Sequence, residues 1–282
     1  MIGSWYHTKR RGAVMMFIWN YIRITLYPVA PILICGLSVW VCRRIFVKLL
    51  GRDSYHILMA ASVIGTPVHE LGHAMMCPLF GHKIVEMVLW QYGSDDGYLG
   101  YVRHSRDTDN PYQWLGDLFV STGPIFSGMA VLSLLLMIFF PNTWSAHISS
   151  VVSLVEEDAS VLAGIFSGLR MIPDLLAELT CSPAALGRIV VILVMLSVSL
   201  RINLSPQDIE GAVYGLPPYL MVTLAVTLIV TLLGRTVSAA VVGALETFSV
   251  FLTAMFSLVL VFSAAQILLA LLIRWVQALL RG

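Results

Sequence analysis

The segment His69-Glu70-Leu71-Gly72-His73 sets two imidazoles four residues apart, with a carboxylate beside the first. Residues four apart on a helix share a face, so both rings can point at one cation. Glu70 sits one position round from His69, where it can flank the ion without ligating it. There it can take a proton from water that the ion activates. HExxH is the helical zinc pattern of metal-dependent hydrolases. The bland alternative is a structural cluster of His and Glu joining two helices. Location favours chemistry, because the motif falls inside the apolar run 56–80. Ionisable groups within such a run are costly and usually functional.

Two histidines and a glutamate still lack a third ligand. His7, His56, His82, His104 and His147 all fall outside the later apolar runs. Beyond the run 185–204 the chain turns polar in Asn203-Leu-Ser-Pro-Gln-Asp208-Ile-Glu210-Gly211. Asp208 reads in two ways here. Ser205-x-x-Asp208, with Pro206 first in the helix, has the form of a helix N-terminus that Asp208 would cap. Equally, Asp208 is the carboxylate that would complete the site. Glu210 is the other acid, read as surface charge. Cys77, one turn beyond His73, would close the site to water as a fourth ligand and is assigned to packing. The widely spaced Cys35, Cys42 and Cys181 read as small buried hydrophobes. Ser121-Thr-Gly-Pro-Ile-Phe-Ser127-Gly128, in the run 115–140, is either a close helix contact or a wall of the site's cavity. Gly65 and Gly72 invite close approach of another backbone, and Pro67 is expected to remove a helix hydrogen bond.

The elements that must hold these residues are set by composition. Of 282 residues, 58% are hydrophobic and 12% charged, and the mean hydropathy is +0.86. So few charges cannot cover the surface of a soluble globule of this size. Disorder and a disulfide scaffold are excluded on the same grounds, and a formal charge of +1 carries no nucleic-acid signature. The expectation is an all-α polytopic membrane protein with about six transmembrane helices, near 24–42, 56–80, 115–140, 185–204, 217–233 and 248–273. Asn20 and Arg23 interrupt the first apolar stretch, so its N-terminal piece is placed in the interface and read as a retained anchor. Residues 83–104, rich in Val, Trp and Tyr around Gly93-Ser-Asp-Asp-Gly97, predict a small β-hairpin inserted after the HExxH helix. Glu156, Glu157 and Asp158 make 142–183 an interfacial or re-entrant segment rather than a span. The distribution of Lys and Arg over six spans leans towards both termini in the cytoplasm. Three regions follow: an anchor helix and basic loop (1–54), a core (55–215) and C-terminal transmembrane helices (216–282).

With these motifs in order, the chain resembles the site-2 protease family of intramembrane zinc metalloproteases. The resemblance rests on three blocks across roughly 55–215. They are His69-Glu-Leu-Gly-His-Ala74 continuing to Phe80-Gly81-His-Lys83, then Gly123-Pro124 opening a membrane helix, then Asn203-x-x-Pro206 followed by an acid and Gly211. It implies Zn2+ on His69 and His73, Glu70 as general base and an acidic third ligand, assigned to Asp208 ahead of Glu210. The family spaces its acid further from the proline and places it directly before the glycine. The family often carries Ala and Asn where this chain has Thr122 and Ser127. The implied partners are a membrane-spanning or membrane-associated protein substrate and the lipid bilayer. The implied location is a prokaryotic cytoplasmic membrane. Two other classes use the same residues: a transporter that relays protons or ions through the His/Glu cluster, and a catalytically silent scaffold for transmembrane helices.

Overall fold

The computed structural model describes residues 2–51, 54–92, 99–157, 160–180 and 185–281. About 85% of the chain is helical, and among the described residues a two-stranded antiparallel sheet accompanies the helices. Among the described residues, four helices are long and apolar enough to cross a membrane. They make this a multi-pass membrane protein; the expected count of six is not reached among the described residues.

The first helix, α1 (Ile2–Leu50), is 49 residues long and passes Asn20 and Arg23 without a break. The expected interfacial piece is therefore part of one continuous helix. The reason is visible at Asn20, whose amide donates to Ser238 Oγ at 2.6 Å, while Arg23 faces outward. The run 56–80 is divided instead. It forms α2 (Ser54–Ala61) and α3 (Gly65–Leu79), separated by a turn at 62–64. Pro67 accounts for the break, since its ring would collide with the carbonyl four residues earlier in a continuous helix. Because α3 starts at Gly65, Pro67 lies in its first turn, where a missing N–H costs nothing. At 15 residues α3 is about 22 Å long, short of a bilayer's hydrocarbon core.

Strands β1 (Lys83–Val88) and β2 (Tyr101–Ser105) pair antiparallel from Lys83↔Ser105 to Val88↔Tyr101, with an irregularity between Ile84 and Glu86. The hairpin is where the sequence placed it. Its expected turn at 93–97 lies outside the described residues, as do Cys181 and Asp158. Helix α4 (Pro111–Phe139) follows, its N-terminus capped by Asn110, whose side chain accepts from Tyr112 N and Gln113 N.

The segment after it forms short helices, α5 (Pro141–Glu156), α6 (Val161–Ser167) and α7 (Ile172–Thr180), with a 3-10 turn at Gly168–Met171. None of them is a span. Glu156 and Glu157 are exposed at the end of α5. Its start is held by buried Glu178, which accepts from Asn142 N (3.2 Å), Thr143 N (2.9 Å) and Thr143 Oγ1 (2.6 Å).

Helix α8 (Ala185–Arg201) ends at the polar stretch 202–205, and α9 (Pro206–Leu232) resumes beyond it. Gly234, at φ 107°, turns the chain into α10 (Arg235–Arg281), 47 residues long. Helices α1 and α10 run parallel: Ile24 clusters with Val242, and Phe46 and Leu50 with Ala270. The two ends of the chain therefore lie at opposite ends of the bundle. That differs from the expectation of both termini on one side, which assumed six crossings; here α2–α3 together and α8–α9 together carry the chain back between α1, α4 and α10. The main core, including Ile125, Leu132, Met195, Val198 and Phe256, fills the space between α1, α4, α8 and α10.

Candidate metal centre

Helix α3 aims His69 and His73 at the meeting point of α4, α8 and α9. His69 donates from Nδ1 to the carbonyl of Arg201, the last residue of α8, at 2.6 Å. His73 donates from Nδ1 to the Val120 carbonyl of α4 at 2.8 Å. A carbonyl only accepts, so each Nδ1 carries the proton and each Nε2 keeps its lone pair. The two Nε2 atoms lie 3.3 Å apart, and the rings are nearly perpendicular, at 79°.

Asp208 completes the group. Its Oδ1 is 3.1 Å from His73 Nε2, and its Oδ2 is 3.7 Å from His69 Nε2. One ligating atom from each of His69, His73 and Asp208 lies within 4.8 Å of the other two. Asp208 also accepts from Ser205 N through Oδ2 (2.6 Å), while Ser205 Oγ accepts from Asp208 N (3.1 Å). The capping box expected of Asp208 forms through Oδ2, while Oδ1 faces His73 Nε2. Glu210, two residues on, is exposed and stands outside the group.

These residues fit a metal ion. Three lone-pair donors converge in a buried site, which is unfavourable without a cation among them. Two imidazoles and a carboxylate suit zinc, and backbone partners on each Nδ1 are the usual support for ligating histidines. Cys77 is fully buried and not among the three.

Close packing sets the position of α3. A Cβ on Gly72 would lie 2.7 Å from the Pro124 backbone of α4, and Ser127 donates to the Val68 carbonyl at 2.9 Å. Gly65 meets Ser197 of α8, whose hydroxyl accepts from Gly65 N at 3.1 Å. The Gly123-Pro124 block is thus a helix contact, while Val120 and Ser121 just before it line the site's cavity.

That cavity, of about 380 Å3, holds Glu70 on its wall with the three converging residues. The hairpin covers one side: a Cβ on Gly100 would sit 2.9 Å from Glu70 Cγ. Other lining residues escaped the sequence reading, among them Arg201, His104 and Asp117. Asp117 was legible as a charge within the run 115–140, by the same reasoning applied to His69. It pairs with Arg106 at 2.7 Å and lies 4.0 Å from His82. His82 donates from Nε2 to the Gln113 carbonyl (2.7 Å), so its Nδ1 accepts from His104 Nδ1 at 3.0 Å. Burial pushes His104 down to about 4, helped by the neighbouring His82, His73 and Arg106. The carbonyls of Val120 and Arg201 had no signal at all, since backbone acceptors belong to every residue.

Compared with protein-family models, curated proteins and solved structures, the chain matches none of them.

Proposed function

We propose that the protein is a zinc-dependent intramembrane endopeptidase, acting as the family it resembles does on membrane-embedded or membrane-proximal protein segments. One observation carries this reading: Nε2 of His69, Nε2 of His73 and the Asp208 carboxylate converge in a cavity that also holds Glu70. His69, His73 and Asp208 would hold the ion. When bound, zinc supplies Lewis acidity, polarising the scissile carbonyl and easing deprotonation of water.

Glu70 receives the proton of the attacking water as the carbon–oxygen bond forms. It then passes that proton to the amide nitrogen as the carbon–nitrogen bond breaks, leaving a carboxylic acid and an amine. The substrate lies extended, because a helical carbonyl is already hydrogen-bonded and shielded by side chains. Strand β2, whose Tyr101–His104 stretch lines the cavity, has a strand on one side only among the described residues and can take an added strand on the other. A prokaryotic cytoplasmic membrane is the proposed setting, with single-span proteins as substrates.

Zinc content and cleavage of a co-expressed single-span protein test the proposal together. The wild-type protein is expected to hold about one zinc per chain and to cleave. His69→Ala loses both. Glu70→Gln keeps the metal and loses about 10²–10⁴-fold in rate. A metal-free wild type, or cleavage undiminished in Glu70→Gln, overturns the reading.

A further inference from the structure

A second cavity, of about 720 Å3, opens on the other side of His69 and contains Arg43, Arg44 and Lys48 from the C-terminal part of α1, with Arg201 from α8. Among the described residues, four cations face it and no carboxylate does. Among the described residues none of the four makes an ion pair. Arg43 is spent on neutral acceptors, the Leu200 carbonyl and Asn203 Oδ1. Arg44 stacks over the Trp40 ring at 4.4 Å. Arg201 Nε is buried and has no hydrogen-bond partner. Arg44 and Lys48 are exposed, Arg43 and Arg201 are partly buried, and Arg201 also faces Glu70 and Asp208 in the metal-site cavity. A cluster of like charge around one cavity creates a local attraction for an anion.

The position of this basic chamber says what the anion belongs to. His69, Arg201 and Ser205 line both it and the metal-site cavity, so the two spaces share a wall. On its other side Trp40 and Leu204 also line an apolar groove of about 410 Å3 between α1, α4 and α9. An occupant that suits all three spaces is an apolar polypeptide stretch, then an acidic residue, with its backbone passing the converging histidines. We infer that Arg43, Arg44, Lys48 and Arg201 form a subsite for a substrate carboxylate flanking the scissile bond, so that the protein prefers segments in which an Asp or Glu follows the apolar run. This inference rests on the proteolytic reading above.

The test uses the full-length zinc-loaded protein in phosphatidylcholine vesicles. Three single-span peptides differ only in having Glu, Gln or Lys after the apolar stretch. Cleavage is read as kcat/KM, and binding as fluorescence anisotropy with the Glu70→Gln protein. Zinc content is measured for every variant. The Glu peptide is expected to exceed the Gln peptide by about fivefold in both readouts. That ratio falls to about one in the Arg44→Gln/Lys48→Gln variant and turns in favour of the Lys peptide in Arg44→Glu/Lys48→Glu. Equal treatment of the Glu and Gln peptides by the wild type overturns the subsite, as does a preference that persists in both variants.

If cleavage depends on Glu70 but shows no charge preference, the subsite fails and the protease reading stands. If charge-dependent binding occurs without cleavage, the chamber binds a peptide carboxylate, but the protease reading fails and with it the placement beside a scissile bond. Replacing part of the lipid with phosphatidylglycerol separates the remaining source of anions. Abolition of the peptide preference, with phosphatidylglycerol retained by wild type and lost from Arg44→Gln/Lys48→Gln, makes the chamber a headgroup site and overturns the proposal.

Discussion

Asp208 carries two duties with two oxygens. Oδ2 holds the Ser205 N–H at the start of α9, and Oδ1 faces His73. Anchoring this carboxylate on a helix cap fixes its direction, because the cap's geometry and its position beside the histidines become one constraint. On the proposed function, Asp208→Ala is expected to lose both metal affinity and a capping contribution of about 1 kcal/mol. Glu210→Ala, at an exposed position outside the cluster, is expected to leave zinc content and cleavage as in the wild type. Metal analysis beside thermal unfolding of the two variants checks this. A Glu210→Ala protein that loses zinc while Asp208→Ala keeps it would reverse the ligand assignment.

At the scale of elements, the site depends on how closely α3 can approach α4. Any side chain on Gly72 meets the Pro124 backbone, which cannot move aside as a flexible side chain can. Gly72→Val is expected to destabilise the fold by about 1–3 kcal/mol. It should also weaken zinc binding, because His73 takes its orientation from the Val120 carbonyl on the displaced helix. Gly243→Ala is the control, since its Cβ meets nothing within 4 Å. It should be neutral or stabilise α10 by up to about 1 kcal/mol. Calorimetry of both variants checks the contrast, and equal melting temperatures would refute the packing argument.

The hairpin makes a separate prediction at the same scale. His104 lies at about 4 in the folded protein, against an ordinary 6.5, so folding disfavours its protonated form. Its contribution is intact above pH 6.5, declines as pH falls towards 4 and levels off below. Melting temperature against pH, compared with His104→Gln, should show the wild type losing relative stability across that window. Parallel profiles would show that His104 titrates alike in the folded and unfolded chain.

For the whole molecule, the parallel run of α1 and α10 places the chain's ends at opposite ends of the bundle and leaves α2–α3, α4 and α8–α9 to carry the chain between them. The interruption between α8 and α9 at 202–205 is where this architecture becomes a site: it puts Asp208 opposite α3 and frees the Arg201 carbonyl for His69. Parallel packing predicts that cysteines replacing Asn20 and Ser238, whose side chains touch, form an oxidative cross-link. Cysteines replacing Asn20 and Gln266 should not, because Gln266 donates instead to the Leu196 carbonyl of α8. Gel mobility after oxidation in membranes distinguishes the pairs, and the opposite result would mean antiparallel helices.

The sequence by itself determined the membrane class, the hairpin and the spacing that lets His69 and His73 share a face. Those properties depend on local pattern: hydropathy, alternation around a turn, and the period of a helix. It also narrowed the distant acid to Asp208 and Glu210. Only the tertiary structure separated them, because a helix cap fixes which carboxylate turns inward and which meets solvent. Tertiary structure also held Asn20 within one continuous helix and supplied the two carbonyls that orient the imidazoles. Each of these depends on what another helix presents at that point, which no local pattern encodes.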